Sequence, residues 1–194
     1  MTSLGAVVFW TAVCMALLSG CGRGTTVDQL AQSLQDPDDD VRQEAAKSLG
    51  DLGHEAVSAA PALVAALQDK DKKVRYRALK ALGKIGAVDA SAVPGLTKLL
   101  QDPDRDVRYH AAKALSKVGA GAAPAIEGLK KALSDKDPEI RYYIVKALGE
   151  IGPDAASVLP QLKKSLRDPD IRVRDLAASV VQKIERPRVA SKGA

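Results

Sequence analysis

An arginine recurs at Arg42, Arg75, Arg108, Arg141 and Arg174, five times at a spacing of 33 residues with no insertion. That period constrains the fold more than any other feature, because a chain that repeats one short unit buries its apolar surface by stacking copies of it. An Asp stands six residues before each Arg, at Asp36, Asp69, Asp102, Asp135 and Asp168. A branched aliphatic precedes each Arg (Val41, Val74, Val107, Ile140, Val173). A Leu pair opens each unit, at Leu30/Leu34, Leu63/Leu67, Leu96/Leu100, Leu129/Leu133 and Leu162/Leu166. The units run 27–59, 60–92, 93–125, 126–158 and 159–191, and the repeat domain spans 27–186, so the period of the last unit runs on into the tail.

Each unit reads as two helices. The i,i+4 spacing of the Leu pair gives a short first helix one apolar stripe. Pro61, Pro94 and Pro160 stand at its start, where a missing N–H costs nothing. The fourth unit has Glu127 there and Pro124 three residues earlier. An Asp-x-Asp then breaks the first helix and supplies capping oxygens for the second. In the second unit that second helix carries Val74, Ala78, Ala81, Leu82 and Ile85 on one face. Gly50, Gly83 and Gly149, and just beyond them Gly53, Gly86, Gly119 and Gly152, are expected as left-handed C-terminal caps. Small residues such as Ala45, Ala46, Ala111 and Ala112 leave room for close helix contact. No window alternates with period two, so no sheet is expected.

The pattern D-P-D-x-x-V-R…A-L-G-x-I-G…P-x-L resembles the HEAT repeat, in the short bacterial version also called phycobilisome-lyase HEAT-like. The resemblance covers residues 27 to 186. It implies an all-α, right-handed α-solenoid of about five helix pairs. It also implies that the Asp and Arg side chains of the ladder hydrogen-bond between successive units, and that the outer face of each second helix lines a concave surface.

The N-terminus carries a separate message. Residues 4–18 are uncharged and apolar, and LSGC follows at Leu18 to Cys21. This length suits the h-region of a signal peptide better than a bilayer span. LSGC resembles the bacterial lipobox, which implies removal of residues 1–20 and a lipid on Cys21. An uncleaved anchor helix is the alternative, and either tethers the protein to a membrane. Expected localisation is thus a bacterial cell envelope, on the periplasmic or surface side. Residues 21–26 form the tether, and 187–194 a basic tail. With Cys14 in the signal and Cys21 lipidated, no disulfide is expected.

Chemistry is sparse. The two histidines, His54 and His110, fall in different units, and a zinc site needs three or four converging ligands. Nucleotide loops and nucleophile motifs are missing. The HEAT-like enzyme deoxyhypusine hydroxylase holds di-iron with several His-Glu pairs, whereas this chain has one, His54-Glu55, in an expected inter-helix loop. No cofactor, metal or catalytic residue is therefore expected.

A quieter ladder lies outside the core face. Tyr76, Tyr109 and Tyr142 each stand four residues before a Lys, at Lys80, Lys113 and Lys146, and Lys47 continues the series in the first unit. On the HEAT resemblance these form a partner-binding strip, with Tyr as amphipathic anchors. Net charge is +5, from 29 basic and 24 acidic residues. The first unit carries eight acids against two bases and the last eight bases against four acids. A nucleic-acid groove should be basic throughout, so the expected partner is an envelope protein or an acidic peptide segment. A protein-interaction scaffold is the leading reading. An accessory subunit, or degenerate relative, of a HEAT-like metal or oxidoreductase enzyme comes second. Binding of an anionic polymer or lipid headgroup comes third.

Overall fold

The computed structural model describes residues 23–86 and 88–186. The apolar segment, Cys21 and the tail 187–194 lie outside the described residues. Among the described residues every regular element is helical: α1 (Arg23–Ser33), α2 (Asp39–Leu52), α3 (Ala60–Ala66), α4 (Lys72–Ile85), α5 (Val93–Leu99), α6 (Arg105–Val118), α7 (Ile126–Ala132), α8 (Pro138–Ile151), α9 (Leu159–Leu162) and α10 (Ile171–Glu185). They form two compact units, one holding α1 to α4 and the other α5 to α10.

The second helices start where the Asp-x-Asp motifs put them. Asp71 accepts from the Lys73 and Val74 N–H groups at 2.9 and 3.0 Å. Asp104 and Asp137 cap α6 and α8 in the same way. These oxygens satisfy donors that the first turn leaves without an intrahelical partner. Pro61, Pro94 and Pro160 occupy the first positions of α3, α5 and α9.

Three local expectations change. Residues from Arg23 on belong to α1, so most of the expected tether is helical. Burial of Val27, Leu30 and Leu34 at helical spacing holds that segment against the first unit. Next, the links between repeats are 3-10 helices at Gly53–Ala59, Ala90–Ala92, Gly119–Ala125 and Gly152–Val158. They bury Ala56 and Ala59, Ala122 and Ala125, and Ala155 and Val158, a small-residue ladder that a plain loop would leave exposed. His54-Glu55 therefore lies on a 3-10 helix.

The glycines divide by role. Gly53, Gly119 and Gly152 combine φ of 56–74° with ψ of −134 to −141°, a region essentially closed to other residues. Gly86 alone is left-handed in the α sense, at φ 78° and ψ 13°. Gly50 and Gly149 are not caps: they lie inside α2 and α8, buried where neighbouring second helices touch. A Cβ on Gly50 would meet the Ala81 Cα at 3.0 Å, and one on Gly149 the Val180 Cγ2 at 2.6 Å. Gly83 likewise lies within α4 rather than at its end.

In the first unit Leu49, Leu63, Leu67, Leu82 and Ile85 are fully buried; in the second Leu96, Leu100, Leu115, Leu129, Ile140, Ile144 and Leu148 are. The Leu ladder breaks at its last member, since Leu166 is 40% exposed. Gly149→Ala should destabilise the protein by about 1–2 kcal/mol, because overpacking outweighs the helix-propensity gain. Adding Val180→Ala should return part of that loss in a urea-denaturation cycle, since it removes the clashing methyl.

Candidate functional site

The Asp and Arg ladder forms rungs between repeats. Arg42 donates from Nε and a terminal nitrogen to both Asp69 carboxylate oxygens, at 2.7 and 3.0 Å. Arg141 grips Asp168 in the same way at 2.7 and 2.7 Å, and the Arg108 Nε reaches Asp135 at 2.8 Å. The carboxylate thus comes from the following repeat. The Asp six residues before each Arg contributes its carbonyl instead: Arg42 donates to the Asp36 and Pro37 carbonyls at 2.7 and 3.1 Å. Arg75 does so to Asp69 and Lys70, Arg108 to Asp102 and Pro103, Arg141 to Asp135 and Lys136, and Arg174 to Asp168 and Pro169.

The rungs are shielded from water. Side-chain exposure is 9% and 8% for Arg108 and Asp135, and 5% and 11% for Arg42 and Asp69. The Arg141 guanidinium holds the Asp168 carboxyl below the ordinary range, against the opposing effect of burial. At Asp69 burial pushes the carboxyl up, and the Arg42 guanidinium with the Asp71 N–H more than offsets it.

The Tyr and Lys residues occupy the other side of the second helices, but less openly than expected. Tyr76, Tyr109 and Tyr142 are half-buried, as are Lys113 and Lys146, while Lys47 and Lys80 are exposed. Lys80 and Lys113 seat their ammonium groups where a ring face attracts them. Lys80 lies 5.5 Å from the Tyr76 ring centre. Lys113 lies 5.6 Å from that of Tyr109 and 5.7 Å from that of Tyr143. The Tyr109 and then the Tyr143 phenol hold the Lys113 ammonium above its ordinary value. Tyr143 joins Tyr109 and Tyr142 edge to face, at 5.4 and 5.5 Å between centres.

Two grooves lie along this side, one in each compact unit. Between α2 and α4 a groove of about 450 Å³ is walled by Lys47, Lys73, Arg77, Lys80 and Lys84, with Asp51 the one carboxylate among its lining residues. Lys84 pairs with Asp51 at 2.7 Å and Lys47 with Glu44 at 3.0 Å. Between α8 and α10 a groove of about 560 Å³ is lined by Glu139, Tyr142, Tyr143, Arg172, Asp175, Leu176 and Ser179. Lys73, Arg77, Lys84, Tyr143 and Arg172 were not singled out by sequence. All fall at positions equivalent to 40, 43, 44, 47 and 51 of the first repeat, one helical stripe whose chemistry changes from copy to copy.

A family model for HEAT repeats matches residues 11–71, 27–116, 60–134 and 126–192. The chain belongs to the HEAT-repeat family. Among solved structures, the complex of CpcE and CpcF of phycocyanin lyase from Nostoc sp. PCC7120 is similar at TM-score 0.62 and 30% identity, covering 87% of this chain and 68% of that one. An engineered protein solved by the Northeast Structural Genomics Consortium matches at TM-score 0.62 and 26% identity, over 81% and 78% of the two chains. A designed armadillo repeat protein in complex with the peptide (KR)4 shares the fold at TM-score 0.68 and 20% identity, over 82% of each. No curated protein matches the chain.

In this HEAT-repeat protein, removing one partner of a rung strands the other's charge away from water. Arg141→Ala and Arg108→Ala should each cost about 3 kcal/mol. Arg174→Ala, which loses only bonds to carbonyls of its own turn, should cost about 1 kcal/mol. The pH dependence follows the depressed carboxyls: Asp69 and Asp168 contribute stability above the unfolded-state value of about 4, and it is lost as pH falls through their lower folded values. Melting temperature should hold from neutral pH to about 5 and fall below about 4, with a shallower acid limb in Arg141→Ala.

Proposed function

We propose that the protein is a non-catalytic interaction scaffold, exported and held at a bacterial cell envelope by a lipid on Cys21. In this reading the groove between α2 and α4 takes an acidic segment of a partner protein. The observation that carries it is the charge of that groove, where five cations face one carboxylate. Lys73 and Lys80 have no carboxylate partner among the described residues, and Lys80 is already set over the Tyr76 ring. An acidic segment would gain ion pairs with both and aromatic contact with Tyr76 at small ordering cost.

The basic character does not extend to the groove between α8 and α10, where Glu139 and Asp175 accompany Arg172. That mixture suits a protein partner better than a uniform polyanion such as nucleic acid. Among the described residues no three His, Cys, Asp or Glu side chains converge as metal ligands, and no described cluster favours the accessory-subunit reading. The LSGC motif supports the lipid, and α1 starts at Arg23, two residues after Cys21 in the sequence.

A fluorescent Glu-rich peptide should bind the full-length protein in detergent, with affinity falling as salt rises. The double variant Lys73→Glu/Lys80→Glu should bind it at least about tenfold more weakly, while Glu139→Lys should not weaken it. Equal binding by the double variant, or tighter binding of single-stranded nucleic acid, would reject the acidic-partner reading. For the anchor, cells fed an alkyne fatty acid should label the wild-type protein and not Cys21→Ser; label on both, or on neither, rejects it.

A further inference from the structure

We propose that the protein associates head to tail with a second copy of itself, the Arg174 end of one copy docking on the Asp36 end of the next. The internal rungs supply the template. In each, an Arg held by two carbonyls of its own turn presents its Nε edge to the Asp of the following repeat. Arg174 has the first half of this arrangement, donating to the Asp168 and Pro169 carbonyls at 2.7 and 3.1 Å. No carboxylate meets its remaining edge among the described residues. Asp36 has the other half. It accepts the Asp38 N–H at 2.9 Å, as Asp69 accepts that of Asp71 at 2.8 Å, and no guanidinium meets it among the described residues. Both halves are pre-organised, so pairing them orders little that is not already ordered.

Three further observations point to a second copy as the occupant. The end that carries Asp36 belongs to a repeat with eight acids and two bases, and the Arg174 end to one with eight bases and four acids. First and last repeats of opposite charge attract copies head to tail and oppose contact between like repeats. The outer face of the last repeat also shows surface that its counterparts bury. Leu166 is 40% exposed where Leu67 and Leu100 are 0% and 1%. Ala178 is exposed where Ala46, Ala112 and Val145 are fully buried. Gln182 stands where Gly50 and Gly149 let helices touch, which makes the junction wider than an internal one and the association weak and reversible. The contact is heterologous, because one end meets the other.

The test uses two full-length copies with different affinity tags, co-expressed and extracted in detergent. Wild-type copies should be retained through one another's tag, more strongly at low salt than at high salt. Arg174→Glu in both copies, or Asp36→Arg in both, should weaken retention about thirtyfold or more. A mixture of one Arg174→Glu copy with one Asp36→Arg copy rebuilds complementary junctions and should restore it. Where charge reversal lowers the melting temperature, Arg174→Gln and Asp36→Asn must show the same loss. Absence of wild-type retention, retention unchanged in the variants, or failure of the mixture to recover would each overturn the proposal.

Discussion

The Arg–Asp rung is the interaction on which the rest of the structure depends. Arg42, Arg108 and Arg141 each serve two repeats at once: one nitrogen closes the turn of its own Asp-x-Asp, and the opposite edge meets the next repeat's Asp. That Asp in turn fixes its own turn by accepting the N–H two residues on, so the rung sets where the next second helix starts. A lysine has no planar fork and cannot hold carbonyls and a carboxylate together in this way. Because a buried ion pair roughly breaks even against apolar packing, its main contribution here is register. Once register is set, the smallest residues fall where helices cross, Gly50 against Ala81 and Gly149 against Val180.

Much of this was legible in the sequence because it follows from local chemistry. The period, the Leu pairs, the prolines at helix starts and the capping aspartates all state what one short segment prefers. Features that depend on a neighbour were not legible. Gly50 and Gly53 lie three residues apart and look interchangeable, yet one lies in a helix contact and the other turns the chain at φ 56°. The Ala-rich links read as loops because nothing local reveals that Ala56 or Ala122 lies against packed helices. Tyr143 was passed over because its column runs Glu44, Arg77, His110, Tyr143, Leu176 and shows no repeat identity to notice.

That column marks a division of labour within each second helix. The face toward the core and the rungs is nearly the same in every copy, and substitutions there leave voids or stranded charges. The groove stripe is half-buried or exposed, where most substitutions change stability by about 0.5 kcal/mol or less. Stability therefore places little restriction on what the stripe carries, and its chemistry differs between copies without disturbing the stack.

The two grooves show what that freedom produces. Equivalent positions build a cationic channel with one tyrosine between α2 and α4, and an aromatic channel of mixed charge between α8 and α10. Under the proposed scaffold function, selectivity would belong to a groove rather than to the fold. Lys80 already rests on Tyr76 in the first groove, and Lys113, on α6, rests against Tyr143, which lines the second. A lysine resting on a ring has already lost much of the rotamer freedom that binding would otherwise remove. Lys80 and Lys113 are thus pre-ordered, and under the proposed scaffold function each would exchange its ring contact for a partner's carboxylate at small entropic cost.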